Sequence, residues 1–410
     1  MNILYIAYSC DPYAGSEDKI GWNIPLESAK SNRVCVITKE EQRRNVEKYL
    51  GTHEVENLKF YFVDIPQIYK KIFKGFLYSG RLNIWHRQVF PLAKKICEEK
   101  QIEIIHQITP IEFRAIGDYY NLHNVKFVCG PLGGGEQLPN SFREYAKGHN
   151  AVEVLRETVN QWCRIVLRIT GKLSKCGYIL FANRETYNYL SSGTKDDKVF
   201  FDNGLRNDEL LSIEEIEKKR DVIREKEFCT FLVAGRMIYR KGHAFLLDAL
   251  EQIPENLAYE CRIVGSGPEQ KKLEDRCRQS KKLSEHVKFT GMIPYEQMQE
   301  EYAKADVFVM PSIRETTGTV LLEAMSKGIP IITANQFGGA VLLDQESGWL
   351  YEGWNKESYI DSIKGALIEC IQNPDEIKRR GMNARKNAEQ YTWEKKNQFY
   401  QRIYEELMQK

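Results

Sequence analysis

The sequence contains no long hydrophobic run, because every apolar stretch is shorter than the ~18 residues that a membrane-spanning helix needs. The N-terminal apolar run Ile3–Cys10 has no basic segment before it and meets Asp11 directly, unlike a secretory signal. These absences predict a protein that is neither integral to a membrane nor secreted through a standard signal.

Paired cysteines are also missing, since the ten cysteines occur singly and none forms a C-x-x-C pattern. This scatter predicts reduced, mostly buried thiols in a cytosolic protein. Proline is scarce, at 13 of 410 residues, and the 42% of hydrophobic residues provide ample side chains for packed cores. A disordered or collagen-like chain is therefore excluded.

Charge of one sign is not in large excess, because the formal net charge is only +2. So small a charge fits poorly with nucleic-acid binding. It nevertheless hides an asymmetry: residues 1–200 carry 28 Lys and Arg against 22 Asp and Glu, whereas residues 201–410 carry 31 against 35. This difference predicts that the N-terminal half faces an anionic partner.

Short β-rich apolar runs alternate with longer amphipathic stretches, as is typical of parallel sheets covered by helices. The runs form two series, and each series begins with a strand that enters a glycine turn. The first series is Asn2–Tyr8, Arg33–Thr38, Phe60–Val63, Ile102–Gln107, Lys126–Cys129 and Tyr178–Ala182. The second is Phe228–Ala234, Glu260–Val264, Val287–Thr290, Val307–Met310 and Ile329–Thr333.

These series predict an α/β protein of two Rossmann-like domains. The first spans residues 1–203 and the second spans residues 204–391, with a C-terminal helix at 392–410 that packs back on the first domain. Ligands of open parallel sheets sit at the carboxyl ends of the strands. Two facing domains would therefore share an active site in the cleft between them.

The most informative stretch is 311–325, where a strand end is followed by Glu315 and then by a helical pattern that contains Glu323. The backbone N–H groups at the start of that helix belong to Gly318, Thr319 and Val320. Such groups bind anions, and two carboxylates can accept hydrogen bonds from sugar and ribose hydroxyls on either side of a diphosphate. The alternative is a helix N-terminal charge with one solvated glutamate.

Two further turns follow predicted strands of the second series. Arg236 and Lys241 lie on the first turn and could converge on phosphate oxygens, although basic residues on a loop are often only surface charge. Gly265 and Gly267 lie on the second turn, where backbone could approach a flat base. A lone Gly-x-Gly is weak evidence by itself.

Taken in order, these motifs resemble those of the retaining glycosyltransferases of family 4, which have the GT-B fold. The motifs are Gly235-Arg236 with Lys241-Gly242, then Gly265-Ser266-Gly267-Pro268, then Glu315 with Glu323-Ala324. The resemblance implies that Arg236 and Lys241 neutralise the donor diphosphate. It also implies that Glu315 binds the transferred sugar and Glu323 the ribose.

The sequence departs from this family pattern at two places. Thr317-Gly318 stands where many members have Phe-Gly, and Gly338-Gly339-Ala340 lacks the glutamate of the usual Gly-Gly-x-x-Glu. These departures leave the identity of the donor sugar open.

The N-terminal half contributes fewer family motifs. Gly15 and Ser16 resemble the glycine loop near the donor phosphates, and His106 matches the histidine that approaches the transferred sugar. A structural turn and a structural histidine are the alternatives. A glycine-dense loop after another strand is predicted to be an acceptor or catalytic loop, with a tight turn as the alternative. Its members are Gly133, Gly134, Gly135 and Glu136.

Two basic segments with interleaved aromatic and aliphatic residues also occur in this half, at Tyr69–Lys100 and at Trp162–Lys175. Such segments suit an anionic bilayer surface, and they equally suit solvated helices. Binding to a membrane would indicate a lipid-linked acceptor.

The resemblance implies a hexosyltransferase that moves a hexose or N-acetylhexosamine from a nucleotide diphosphate sugar, UDP by default, to a hydroxyl of a glycan. Retention at the anomeric carbon is implied, with Glu315, His106, Arg236 and Lys241 as the catalytic set. We expect a polyprenyl-diphosphate-linked acceptor in bacterial surface polysaccharide assembly, and a cytoplasmic protein that is peripheral on the inner face of the plasma membrane. No Asp-x-Asp occurs, so neither a metal nor another cofactor is expected.

Two alternatives use the same fold: a nucleotide-sugar epimerase and a non-catalytic protein that binds sugar nucleotides. A dehydrogenase is excluded, because it would need a full Gly-x-Gly-x-x-Gly after a strand and none is present.

Overall fold

The computed structural model describes residues 1–146, 148–191, 198–218, 228–353 and 355–409. The chain divides into two compact units of α/β structure. The first unit comprises Met1–Glu136, Val152–Gly204 and Trp393–Lys410, and the second comprises Gln137–Ala151 and Leu205–Thr392.

The first unit is built on a parallel sheet of seven strands in the order β3-β2-β1-β4-β5-β6-β7. The strands are β1 (Asn2–Ala7), β2 (Arg33–Lys39), β3 (Leu58–Val63), β4 (Ile104–Thr109), β5 (Lys126–Leu132), β6 (Tyr178–Phe181) and β7 (Lys198–Val199). The central strands β1 and β4 are almost entirely buried, which explains their continuous apolar runs.

Helices cover both faces of this sheet. They are α1 (Glu17–Ser28), α2 (Arg43–Leu50), α3 (Gln67–Ile72), α4 (Tyr78–Lys100), α5 (Asn150–Thr170) and α6 (Arg184–Leu190). In α4, one face carries Leu82, Trp85, Val89, Ala93 and Ile96 at helical spacing, and these residues are buried in the core.

The second unit contains a parallel sheet of six strands in the order β10-β9-β8-β11-β12-β13. The strands are β8 (Cys229–Ala234), β9 (Tyr259–Val264), β10 (Val287–Gly291), β11 (Val307–Met310), β12 (Ile331–Ala334) and β13 (Gly348–Tyr351). The helices are α7 (His243–Glu251), α8 (Gln270–Gln279), α9 (Lys281–His286), α10 (Tyr295–Lys304), α11 (Thr319–Ser326), α12 (Gly339–Leu342), α13 (Lys356–Gln372) and α14 (Pro374–Ala388).

The last helix, α15 (Trp393–Gln409), is part of the first unit although the chain reaches it from the second. Its apolar face packs into the core beside β1. The residues of that face are Trp393, Tyr400, Ile403, Tyr404 and Leu407. The Tyr404 hydroxyl lies 3.2 Å from that of Tyr5, which ties the helix to the sheet.

The α/β class and the two parallel sheets predicted from the sequence are confirmed, and every predicted strand corresponds to an observed one. Two edge strands, β7 and β13, escaped prediction because they are short and lack a long apolar run. None of the helices that the structure describes is long and apolar enough to cross a bilayer. All ten cysteines are free thiols, and nine are buried.

The segment Gln137–Ala151 differs from the predicted domain boundaries, which assigned all of residues 1–203 to the first domain. It belongs to the second unit, because Leu138 and Phe142 are buried in the core of that unit. The Phe142 ring packs edge-on against Phe245 and Tyr359, with centroid separations of 5.5 Å and 5.1 Å. Since this segment contains only isolated apolar residues, its sequence gave no sign of which core would bury them.

Candidate functional site

Two loops at the carboxyl ends of β8 and β11 interlock in the second unit. Gly242 has a φ of +71°, and a Cβ atom added there would lie 1.8 Å from the carbonyl oxygen of Pro311. The Ile313 amide donates a hydrogen bond to the Arg240 carbonyl oxygen over 3.0 Å. The backbone of residues 240–242 is therefore packed directly on that of residues 311–313, and side chains from both loops meet beside it.

The central contact of this site is an ion pair between the Lys241 ammonium and the Glu315 carboxylate. Both side chains are mostly buried, with 17% and 12% of their surfaces exposed. Arg240 lies 3.9 Å from the second carboxylate oxygen, which also accepts a 3.2 Å hydrogen bond from the Thr316 amide. A carboxylate and two cations are thus held together at the end of the sheet.

Electrostatics keep Glu315 ionised in this position. Burial by itself would raise the pKa of the Glu315 carboxyl, but the charges of Lys241 and Arg240 and the hydrogen bonds to the carboxylate outweigh burial and lower the pKa below its usual range. Glu315 is therefore a hydrogen-bond acceptor at neutral pH and not a proton donor.

Arg236 lies on the same loop as Lys241 but outside the ion pair that Lys241 makes. Arg236 is exposed and takes no part in the ion pair with Glu315. Arg240, which the sequence analysis did not single out, occupies that place. The signal for Arg240 was its position directly before Lys241.

Gly265 and Gly267 have a packing role that accounts for their identity. A Cβ atom at Gly265, where φ is +130°, would lie 2.0 Å from the Gly235 carbonyl oxygen, and one at Gly267 would lie 2.3 Å from that of Met237. The Met237 amide also donates to the Ser266 carbonyl oxygen over 2.9 Å. The loop after β9 is thus fitted backbone to backbone against the loop after β8.

Helix α11 begins at Thr319, and its N-cap is Gly318, which has a φ of +79°. Thr319 and Val320 therefore form the first turn of an eight-residue helix, as the sequence predicted. One turn further on, the Glu323 carboxylate accepts a 2.9 Å hydrogen bond from the buried hydroxyl of Tyr302. Tyr302 fixes the orientation of Glu323, and sequence reasoning had not identified it.

His243 is a second residue that the sequence analysis missed. It begins α7 directly after Lys241-Gly242, only 4% of its surface is exposed, and neither ring nitrogen has a hydrogen-bond partner among the described residues. Burial, and to a lesser extent the Lys241 charge, lower the pKa of the His243 imidazole to about 4. The ring is therefore neutral at physiological pH.

Gly338 packs against the loop that carries Glu315, and Gly339 packs against β12. A Cβ atom at Gly338 would lie 1.6 Å from the Thr317 carbonyl oxygen, and one at Gly339 would lie 2.8 Å from the Thr333 methyl group. Close packing thus explains why both residues are glycine, although the glutamate of the family pattern is absent.

In the first unit, Gly15 and Ser16 are exposed at the start of α1. Ser16 has a φ of +55° and makes no side-chain cap hydrogen bond, so the first turn of α1 opens on a strained residue. Glu17 follows, and its carboxylate accepts a 3.1 Å hydrogen bond from the Ile111 amide. Burial, reinforced by neighbouring carboxylates, raises the pKa of Glu17 to about 7.

His106 lies in the core, and its predicted contact with the transferred sugar is not supported. No part of its surface is exposed, and its Nδ1 and Nε2 atoms lie 2.7 Å from the Tyr404 hydroxyl and 2.8 Å from the Gly130 carbonyl oxygen. Since a carbonyl only accepts, Nε2 carries the proton and the Tyr404 hydroxyl donates to Nδ1. His106 therefore joins α15 to the sheet.

We expect this buried histidine to make the first unit sensitive to acid. Burial lowers the pKa of His106 from 6.5 to about 3, so the unfolded chain binds a proton at pH values where the folded chain does not. Stability should fall as the pH drops from 6.5 towards 3, by about 2 kcal/mol from this residue at pH 5. Urea unfolding at pH 7 and pH 5 should show a smaller loss in His106→Gln, and equal losses in variant and wild type would contradict the assignment.

The loop of Gly133, Gly134, Gly135 and Glu136 is anchored from beneath by its glutamate. Glu136 is buried, with 2% of the residue exposed, and its side chain accepts hydrogen bonds from the Gly134 amide, at 3.1 Å, and from Asn183, at 2.6 Å. Arg156 donates to the carbonyl oxygens of Gly134 and Glu136. The structure therefore gives Glu136 a structural role in place of the predicted acceptor-facing one, because its carboxylate is hydrogen-bonded to groups of the same unit.

Comparisons with known proteins indicate the family and the fold. Residues 214–387 match the sequence model of the family described as glycosyl transferases group 1. A GDP-mannose-dependent monoacylated α-(1-6)-phosphatidylinositol monomannoside mannosyltransferase of Corynebacterium glutamicum is 32% identical over 171 residues, which are 39% of this chain and 42% of that enzyme. The aligned parts cover 46%, 59% and 30% of three other curated relatives, so the chain spans about half of their length.

Solved structures match over almost the whole chain. Sucrose-phosphate synthase from Thermosynechococcus elongatus superimposes with a TM-score of 0.63 at 18% identity, over 99% of both chains. The Anabaena protein HepE in complex with UDP superimposes with a TM-score of 0.59 at 18% identity, over 99% of this chain and all of that one. The two-domain α/β architecture is therefore GT-B, as the motifs predicted.

Proposed function

We propose that this chain, whose residues 214–387 belong to the glycosyl transferases group 1 family, transfers a hexose or N-acetylhexosamine from a nucleotide diphosphate sugar to a hydroxyl of a glycan. The observation that carries the proposal is the ion pair of Lys241 with Glu315 at the carboxyl ends of β8 and β11. A cation and an ionised carboxylate side by side suit a ligand that has phosphate oxygens next to sugar hydroxyls.

We assign the positive charge of Lys241, supplemented by the exposed Arg236, to the donor diphosphate. Both charges would stabilise the negative charge that develops on the phosphate as the glycosidic bond breaks. Glu315 accepts hydrogen bonds from the transferred sugar, and Glu323, oriented by Tyr302, accepts them from the ribose. Protein cations can supply this stabilisation themselves, so we propose a reaction that requires no metal ion.

The anomeric configuration is retained in this proposal, and the departing phosphate takes the proton of the acceptor hydroxyl. Glu315 therefore positions the sugar and does not act as the nucleophile. Its lowered pKa supports this role, because a carboxylate that stays ionised accepts hydrogen bonds throughout the reaction.

UDP is the proposed nucleotide. The HepE structure, which contains UDP, supports this choice. The Corynebacterium mannosyltransferase is named for GDP-mannose, so the donor panel below includes GDP-sugars. For the acceptor we propose a polyprenyl-diphosphate-linked glycan of bacterial surface polysaccharide, handled at the cytoplasmic face of the plasma membrane. The relative named for a phosphatidylinositol mannoside and the basic excess of residues 1–200 support a lipid-linked acceptor.

A donor panel tests the proposal. UDP-, GDP- and ADP-sugars are incubated with the protein and EDTA, and release of nucleoside diphosphate is followed with and without a lipid-linked acceptor extract. We expect release from one donor, increased by acceptor and unaffected by EDTA. Glu323→Gln should weaken donor binding, whereas Glu285→Gln, an exposed glutamate of the same unit, should not.

Three other results would redirect the assignment. Conversion of the donor sugar without nucleoside diphosphate release would indicate an epimerase, and donor binding without turnover, even with acceptor present, would indicate a sugar-nucleotide-binding protein. Absence of binding to every donor would contradict the site itself.

A further inference from the structure

Helix α5 has mostly polar residues on its inner face and apolar residues on its outer face, the reverse of a helix that covers a sheet. Glu153, Asn160 and Leu167 lie on its inner face, where 3%, 1% and 8% of their surfaces are exposed. The outer face carries large apolar side chains, of which Trp162 is 66% exposed and Ile169 is 80% exposed. The other exposed apolar residues of the helix are Val152, Val154, Leu155, Ile165 and Val166.

The polar residues of the inner face explain why the helix is held in this orientation. Arg156 and Asn160 donate hydrogen bonds to the carbonyl oxygen of Gly134, at 3.0 Å in both cases, and Arg156 also binds the carbonyl oxygen of Glu136. The Tyr189 hydroxyl donates to Gln161 over 3.2 Å. Because polar groups make the inner contacts, the apolar stripe is left on the outside.

A contiguous apolar stripe on a soluble surface marks a binding site for another apolar body. The charges around this stripe identify the kind of body. No acidic residue occurs between Glu157 and Glu185, whereas the C-terminal half of α5 and the turn after it carry several cations. These cations are Arg164, Arg168, Lys172 and Lys175. Arg168 and Lys175 are exposed, whereas Lys172 is paired with Asp118 and Arg164 packs on the Tyr189 ring.

We propose that the outer face of α5 docks the protein on an anionic lipid bilayer. The apolar side chains would enter the boundary between headgroups and acyl chains, with Trp162 at the level where tryptophan is favoured, and the flanking cations would meet lipid phosphates. This surface would hold the protein at the membrane location proposed above. Only its use in reaching a lipid-linked acceptor rests on the proposed function.

A second copy of the chain is the less suitable occupant. A twofold contact through the C-terminal half of α5 would bring the same basic surface against itself, so cations would face cations. An anionic bilayer offers negative charge at every position along the helix.

Cosedimentation with vesicles tests the proposal on the full chain. Vesicles of phosphatidylcholine alone are compared with vesicles that contain about 30% phosphatidylglycerol. The wild type should bind the anionic vesicles, and the double variant Trp162→Ser, Ile169→Ser should partition at least about ten-fold more weakly. Met292→Ser is the matched control, because Met292 is 78% exposed in the second unit and should leave partitioning unchanged.

The charge contribution is tested by Arg168→Gln with Lys175→Gln. This pair should lower binding to anionic vesicles several-fold and reduce the preference over neutral ones, and added salt should weaken the wild type more than this variant. Thermal unfolding by circular dichroism should be the same for all variants, since the replaced side chains are exposed.

The proposal is overturned if the Trp162 and Ile169 double variant binds as the wild type does, or if the wild type does not bind anionic vesicles. A wild-type dimer that this double variant converts to monomer, seen by light scattering, would assign the face to self-association. UDP binding measured by calorimetry on the same samples separates this inference from the proposed activity. A wild type that binds UDP but not vesicles would contradict only the proposed membrane surface. A wild type that binds vesicles but not UDP would contradict only the proposed active site.

Discussion

Replacing Lys241 by alanine is expected to lower kcat/KM for the nucleotide sugar by about 10²- to 10³-fold, the usual cost of removing one group that stabilises developing charge. The substitution removes the cation nearest to Glu315 and leaves Arg240, 3.9 Å away, as the remaining positive charge beside that carboxylate. The pKa of Glu315 should then rise. The acid limb of the pH–rate profile should therefore move to higher pH in Lys241→Ala.

Steady-state kinetics between pH 5 and pH 9, together with UDP calorimetry, measure both effects. Lys241→Arg should recover part of the activity, because it restores the charge without the geometry of a primary ammonium. Lys288→Ala is the matched control, since Lys288 pairs with Glu260 in the same sheet away from the proposed site. Kinetics of Lys241→Ala that equal those of Lys288→Ala would refute the role assigned to Lys241.

Glu315→Gln separates binding from catalysis at the same site. It should leave UDP affinity almost unchanged and reduce kcat, because Glu315 is assigned to the sugar and not to the diphosphate. Equal losses of UDP affinity in Glu315→Gln and Lys241→Ala would instead show that the ion pair acts only as a structural unit.

Gly242→Ala is expected to cause the largest loss of stability, about 3 kcal/mol in the free energy of unfolding. Alanine is strained at a φ of +71°, and its Cβ atom would overlap the Pro311 carbonyl oxygen at 1.8 Å. The loop after β8 would have to move away from the loop after β11. Lys241 and Glu315 would then separate, so UDP affinity should fall together with stability.

Gly365→Ala provides the control for this substitution. Gly365 lies inside α13, and a Cβ atom there would contact nothing within 4 Å. This variant should be more stable than the wild type by about 0.5–1 kcal/mol, the helix preference of alanine over glycine. Urea unfolding of both variants measures the difference, and a Gly242→Ala protein as stable as wild type would contradict the interlocked loops.

The fold could be predicted from the sequence because buried parallel strands need continuous apolar runs, which differ clearly from the pattern of amphipathic helices. The motifs assigned Lys241 and Glu315 to one donor site, but the ion pair between them was not predicted. Each residue follows a central strand of one sheet, β8 or β11, and neighbouring parallel strands end at the same edge. That β8 and β11 are neighbours in the sheet was decided by the tertiary structure.

Local pattern was insufficient where neighbours distant in the chain decide the role of a residue. His106 and Glu136 have the residue types of a catalytic site, yet the Tyr404 hydroxyl of α15 binds His106, and Asn183 binds the Glu136 carboxylate. Leu138 and Phe142 are isolated apolar residues, and only the position of the β8 to β13 sheet determines which core buries them.

The two basic aromatic segments also show the difference between what local sequence predicts and what tertiary contacts decide. Both have tryptophan among cations, and their sequences predict amphipathic helices without saying which side faces the protein. Trp85 is fully buried and donates a 2.9 Å hydrogen bond to the Val63 carbonyl oxygen, whereas Trp162 is 66% exposed. The sequence by itself determined the strands, the helices and the order of the motifs, because these depend on periodicity and turn chemistry. Only the tertiary structure decided which helix face and which polar side chain remain available to a ligand, because burial depends on residues far away in the chain.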